Sequence, residues 1–197
     1  MARSICPKCH YPFSACLCSS IIPMKISTEL LVLQDPNEVG HAKNSVRLME
    51  LVIPETRVYV GEVPNDFISL RKYLKRCSKP IYLVYPSDTS VDVAEAKFDE
   101  PPVLLFLDGT WRKAYKLLQL NPWLQDYPAL HLELTSASNY KIRKASRTDS
   151  LSTLEAAAMM LKTIEPDLKI TPLTQALDAM VQQRISSMPA AVRKRYE

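Results

Sequence analysis

Five short apolar runs, at residues 29–34, 57–60, 81–85, 103–107 and 130–134, alternate with amphipathic stretches at 41–51, 66–77 and 111–120. A run such as Val103-Leu104-Leu105-Phe106-Leu107 has no polar face, so it belongs in a sheet covered on both sides. Strands that alternate with helices return in parallel order. The expected class is therefore α/β, a mostly parallel sheet covered by helices, with two more helices at 151–164 and 172–185. Ligands on such sheets bind outside the carboxyl ends of the strands. With 197 residues, of which 47% are hydrophobic, the chain can bury one sizeable core, enough for one main domain but not for two large ones. The proline-rich stretch 86–102 reads as a loop within that domain.

Four of the five cysteines fall close together as Cys6-x2-Cys9-x6-Cys16-x-Cys18, with Pro7 and Pro12 stiffening the turns. In a reducing compartment so tight a cluster reads as metal binding rather than as a disulfide framework. Four thiolates close a tetrahedron around Zn²⁺, and a closed site is structural. An iron–sulfur or redox role is the alternative, and His10 could substitute as a ligand. Residues 1–22 are thus expected to form a zinc knuckle that cannot build its own apolar core and folds on its metal. A docking surface for nucleic acid is its expected use. Residues 23–197 form the main domain, and Cys77 is expected in its core.

The run at 103–107 ends in Asp108-Gly109-Thr110-Trp111. Glycine permits a sharp turn, and threonine suits the cap of the following helix. Trp111, Ala114, Tyr115 and Leu118 then recur at helical spacing, which predicts one apolar face packed on the sheet and leaves Asp108 aimed at the crevice. Arg112 and Lys113 in the first turn oppose the helix dipole, an arrangement that suits an anion; an ordinary capped helix with exposed basic residues is the alternative.

Only three glycines occur, so neither a G-x-G-x-x-G loop nor a P-loop is present, which removes the commonest nucleotide-binding α/β enzymes. No window holds the roughly 18 apolar residues of a membrane span, and no apolar leader precedes the cysteines, so a cytoplasmic protein without a membrane partner is expected. The net charge of +4 is mild, but basic residues gather at Lys141, Arg143, Lys144 and Arg147, at Arg112, Lys113 and Lys116, and at Arg193, Lys194 and Arg195. Beside Tyr140, the first group combines phosphate contacts with an aromatic ring able to stack on a base.

The segment Leu107-Asp108-Gly109-Thr110-Trp111-x-x-Ala114 resembles the D-x-T-W signature of the DTW-domain family. Further segments are similar in order and spacing. The cysteine cluster resembles the family's C-x2-C…C-x-C element. Gln34-Asp35-Pro36-x-Glu38 followed by Lys43-Asn44-Ser45 and Arg47-Leu48 resembles its H-P-x-E…N-T-x-R-L block, with Asp35 and Ser45 departing from the usual histidine and threonine. Tyr140-x-Ile142-Arg143-Lys144 and Leu151-Ser152-Thr153-Leu154-Glu155-Ala156 resemble its Y-x-I-R and L-S-T-x-E-A elements.

The resemblance implies a tRNA-uridine aminocarboxypropyltransferase related to the SPOUT methyltransferases, with a knotted C-terminal half. It implies S-adenosylmethionine as co-substrate, tRNA as partner, and transfer of the 3-amino-3-carboxypropyl group to N3 of a uridine. Asp108, Thr110 and Trp111 are then the catalytic candidates, with Asp108 as base or as anchor of the substrate amine. The cofactor pocket falls to Tyr85 and Pro86, to Asp108, Gly109, Thr110 and Trp111, and to Leu151, Ser152 and Thr153. RNA contacts fall to Lys43, Asn44, Arg47, Lys113, Tyr140, Lys141, Arg143 and Lys144, and the metal ligands are Cys6, Cys9, Cys16 and Cys18. The rival readings are a SPOUT-like RNA methyltransferase and a non-catalytic, zinc-containing RNA-binding protein.

Overall fold

A computed structural model of the chain describes residues 4–41, 44–133, 151–189 and 193. Six strands, β1 (Glu29–Gln34), β2 (Arg57–Val60), β3 (Ile81–Val84), β4 (Val91–Asp92), β5 (Val103–Asp108) and β6 (Ala129–His131), form one sheet in the order β2-β1-β5-β3-β6-β4. Every pairing is parallel, as the strand–helix alternation predicts. The two central strands, β1 and β5, run in register from Glu29 opposite Val103 to Gln34 opposite Asp108. Both are nearly wholly buried, which is why neither shows a polar face in sequence.

Alternate residues of these strands feed two cores. Leu30, Val32, Leu104 and Phe106 face α2 (Ser45–Val52), α5 (Thr153–Ile164) and α6 (Thr171–Ser186). Leu31, Leu33, Val103 and Leu105 face α3 (Ile68–Leu74) and α4 (Trp111–Leu120). Each fully buried Leu or Phe in these layers contributes about 2 kcal/mol. Cys6, Cys9, Tyr11 and Leu17 are buried in the first of these cores, so the N-terminal segment shares the main domain's interior. Tyr11 donates to the Asn44 carbonyl at 3.4 Å and lies beside the Met180 sulfur at 3.7 Å, joining the knuckle to the approach to α2 and to α6.

Local chemistry sets the helix starts. Asp35 caps the short α1 (Pro36–Val39), accepting from the Asn37 backbone with Pro36 at the first position. Asn44 caps α2 by accepting from Val46 and Arg47, which moves the helix start from the expected residue 41 to Ser45. Asp66 accepts from the Glu62 and Val63 backbones at 2.8 and 3.0 Å, so it closes a turn and leaves α3 to begin at Ile68.

Two expectations are corrected. The stretch 86–102 holds β4, too short to show any periodicity, which adds an edge strand beside β6. The buried face of α4 is Ala114, Leu117 and Leu118, while Trp111 and Tyr115 are 40% and 55% exposed. The helix is rotated toward Leu117, which packs beside Leu105 and Leu124, and the two aromatic rings stand at its solvent edge. Cys77 packs half-buried against this second core. Residues 134–150, within the C-terminal half for which a knot is implied, lie outside the described residues.

Candidate functional site

A cavity of about 420 Å³ opens at the carboxyl ends of β3, β5 and β6. Tyr85 and Pro86 enter it from the end of β3, Gly109 and Trp111 from the turn after β5, His131 and Glu133 from β6 and beyond, and Leu151, Ser152 and Thr153 from the start of α5. The Tyr85 and Trp111 rings meet edge to face, with centroids 6.2 Å apart. Among the described residues the one formal charge on the wall is the carboxylate of Glu133. An apolar cavity with aromatic rings and a negative charge suits a cationic nucleoside better than a free phosphate.

Asp108 lies beside this cavity, not on its wall. Its side chain shares the Phe106 face of β5, is 8% exposed, and accepts from Gln34 Nε2 at 2.8 Å and Thr153 Oγ1 at 2.5 Å. Gln34 Nε2 also lies 3.5 Å from Asn44 Oδ1. A buried carboxylate is tolerable here because it is hydrogen-bonded and lies near the amino end of α5. The expectation that Asp108 opens straight into the crevice is thereby corrected. The group that reaches the cavity is Thr153, which Asp108 holds in place.

The other signature residues divide the same way. Gly109 takes φ = 155°, and a Cβ there would stand 2.9 Å from Lys113 Cβ, so glycine is required for the strand to turn into α4. Thr110 Oγ1 accepts from the Lys113 backbone at 3.4 Å, a cap as expected, and is not among the cavity-lining residues. Ser152 forms a capping box with Glu155: its Oγ accepts from the Glu155 backbone at 3.2 Å, and its own N–H donates to Glu155 Oε2 at 2.8 Å.

Three residues expected at an RNA surface are engaged within the fold. Lys113 Nζ lies 2.9 Å from Glu38 and 3.4 Å from Asp35, and these carboxylates, led by the Glu38 hydrogen bond, hold its ammonium above the usual lysine range. The Lys113 charge at the start of α4 is thus balanced internally, while Arg112 beside it is exposed. Asn44 is buried as the α2 cap. Arg47 donates to the His10 and Val39 carbonyls and lies over the Tyr11 ring, 5.1 Å from its centroid. Lys43, Tyr140, Lys141, Arg143 and Lys144 lie outside the described residues.

The cysteines converge as their spacing predicts. The Sγ atoms of Cys6, Cys9, Cys16 and Cys18 all lie within 4.8 Å of one another, and all are free thiols. Cys6 Sγ is 3.6 Å from Cys18 Sγ, and Cys9 Sγ is 3.7 Å from Cys16 Sγ. The backbone N–H groups of Cys9 and Lys8 point at Cys6 and lower its thiol to about 6, while Cys18, hydrogen-bonded to Cys16 and to its other sulfur neighbours, is pushed up to about 12, so the cluster holds its protons unevenly. His10 turns the chain in the left-handed region (φ 56°) and is exposed, away from any ligand role that four converging sulfurs would require. Four soft donors at these distances can hold one ion.

His131, Ser90 and Glu133 escape a reading based on motifs. Their signal is positional: His131 and Glu133 fall in the run at 130–134, at the same sheet edge to which Asp108 points attention.

The DTW domain model matches residues 3–185 of the chain. The chain is 31% identical over 179 residues to a Drosophila melanogaster protein named tRNA-uridine aminocarboxypropyltransferase 2, covering 86% of this chain and 70% of that protein. It is 29% identical over 171 residues to the Macaca fascicularis protein of that name, and 27% identical over 170 residues to the one from Mus musculus. Each of those matches covers 83% of this chain, which spans 57% of either relative's own length.

Proposed function

The chain belongs to the DTW-domain family, and on that premise we propose that it transfers the 3-amino-3-carboxypropyl group of S-adenosylmethionine to N3 of a tRNA uridine, releasing methylthioadenosine. The observation that carries this reading is the cavity itself. It adjoins the family signature, carries a negative charge on its wall, and is lined by rings that stabilise a sulfonium through their faces.

Within this reading each residue has a physical task. Tyr85, Pro86 and Trp111 enclose the nucleoside sulfonium, Glu133 favours its positive charge, and Gly109 with Leu151 to Thr153 lets backbone approach closely. Asp108 fixes the Thr153 hydroxyl and the Gln34 amide, so it acts as a positioning residue. The reaction forms a bond from N3 to the γ-carbon and breaks the bond from that carbon to sulfur. Alignment of the two is the main contribution such a pocket makes, worth several kcal/mol. Trp111 and Tyr115, exposed beside Arg112, offer stacking surface for an extruded base. Lys43, Tyr140, Lys141, Arg143 and Lys144 complete the tRNA surface. The four cysteines hold a structural Zn²⁺, and the protein works in the cytoplasm; among the described residues no helix is long and apolar enough to cross a membrane.

Nucleoside analysis of unmodified tRNA incubated with the protein and S-adenosylmethionine should reveal a uridine carrying the aminocarboxypropyl group. A methylated uridine in its place, or unaltered tRNA, would refute the assignment.

A further inference from the structure

Removing the N3 proton needs an acceptor, and Asp108 is engaged elsewhere. We propose, building on the transferase reading, that His131 Nε2 is that acceptor and that Ser90 sets its tautomer.

The assignment rests on a count of protons. Ser90 Oγ donates to the Ser87 carbonyl at 2.7 Å and accepts from the Ser87 backbone N–H at 2.9 Å. It also lies 2.9 Å from His131 Nδ1. A hydroxyl has one proton and two lone pairs. With the proton on the carbonyl, Oγ can only accept from the imidazole, so Nδ1 bears hydrogen. Were the proton turned to His131 instead, the Ser90 oxygen and the Ser87 carbonyl oxygen would face each other at 2.7 Å with nothing between them. In either charge state, then, Nε2 is the nitrogen that gains or loses a proton.

His131 lines the same cavity as Tyr85, Trp111 and Thr153, and none of the described residues hydrogen-bonds its Nε2. Among the described residues, the groups around it are acidic or neutral. Asp92 is its register partner on β4, Asp88 lies in the Ser87–Ser90 turn, Tyr85 follows the neighbouring β3, and Glu133 follows two residues along. The Asp92 carboxylate is turned to its own strand end, accepting from the Ala94 backbone at 3.1 Å.

The step balances. Nε2 takes the proton from N3, the N3 electron pair forms the bond to the γ-carbon, and the electrons of the broken carbon–sulfur bond stay on sulfur as neutral thioether. The imidazolium then releases its proton to water. A positioned base of this kind contributes about 100-fold or more.

The test compares wild type, His131→Gln and Ser90→Ala. His131→Gln should fold, bind S-adenosylmethionine by calorimetry as wild type does, and transfer about 100-fold more slowly. The pH profile of the wild-type rate should change in that variant. Ser90→Ala should slow transfer less and weaken the Nδ1–H preference seen by ¹⁵N NMR of the imidazole. Undiminished transfer by His131→Gln would overturn the base assignment while leaving the transferase reading intact, because modified uridine would still form. An Nε2–H tautomer in the wild-type spectrum would also overturn it. Failure of the wild type to modify tRNA would remove both.

Discussion

Asp108→Ala should lower the transfer rate by about 100-fold, because displacement of a positioning group by around an ångström is enough to cost that much. The substitution leaves the Thr153 hydroxyl and the Gln34 amide without their shared acceptor in a buried setting. Loss of that acceptor costs up to about 1–3 kcal/mol for each donor, less where Asn44 or the cavity offers another partner, so a lower melting temperature should accompany the lost activity. Asp108→Asn separates the effects. Its one oxygen can still accept from Thr153, but its amide then faces the Gln34 amide, donor against donor, so it should keep more activity than alanine. Steady-state rates beside thermal denaturation of both variants check this. Wild-type rates in the alanine variant would mean that Thr153 needs no anchor.

Metal removal should have the larger effect on stability. Purified under reducing conditions, the protein should carry one zinc ion per chain by elemental analysis. Binding of structural zinc supplies roughly 10–16 kcal/mol in isolated fingers, against a total stability of about 5–15 kcal/mol for a domain. Here Cys6, Cys9, Tyr11 and Leu17 are buried in the core shared with α2, α5 and α6. Chelation should therefore loosen the whole domain, by about 3 kcal/mol or more, which corresponds to a melting temperature lower by roughly 6–12 °C. Melting of the N-terminal segment alone, with the sheet unaffected, would show that the knuckle is independent of the core.

Strands are the most legible part of this chain, the central pair because β1 and β5 are buried on both faces. The runs at 29–34 and 57–60 match β1 and β2 residue for residue, and 103–107 falls one short of β5. The extra residue is Asp108, whose polar side chain hides the fact that its backbone still follows the ladder beside Gln34. Helical spacing locates α4 to the residue but chooses the wrong face. Leucine at 117 fits the core as well as tryptophan at 111, and only packing against Leu105 and Leu124 decides between them.

The cysteine cluster was legible because its members are close in sequence and chemically distinctive. The cavity was legible only in outline. Tyr85, Gly109, Trp111 and Leu151 to Thr153 do meet there, from segments up to about seventy residues apart, and the parallel topology is what brings them to one edge. Directions of side chains were not legible. Asp108 turns toward Gln34 and Thr153 because the neighbouring strand and helix supply donors there, and Lys113 turns back to Glu38 and Asp35 because α1 lies beside it. The Ser90–His131 contact depends on a two-residue edge strand that leaves no periodic trace.

The identity of the small-molecule product decides most directly whether this pocket presents the aminocarboxypropyl arm to RNA. Chromatography of the reaction after incubation with S-adenosylmethionine and unmodified tRNA should show methylthioadenosine accumulating in step with modified uridine, and none without tRNA. Adenosylhomocysteine in its place would mean that the methyl group is the one transferred, and the proposed function would be wrong.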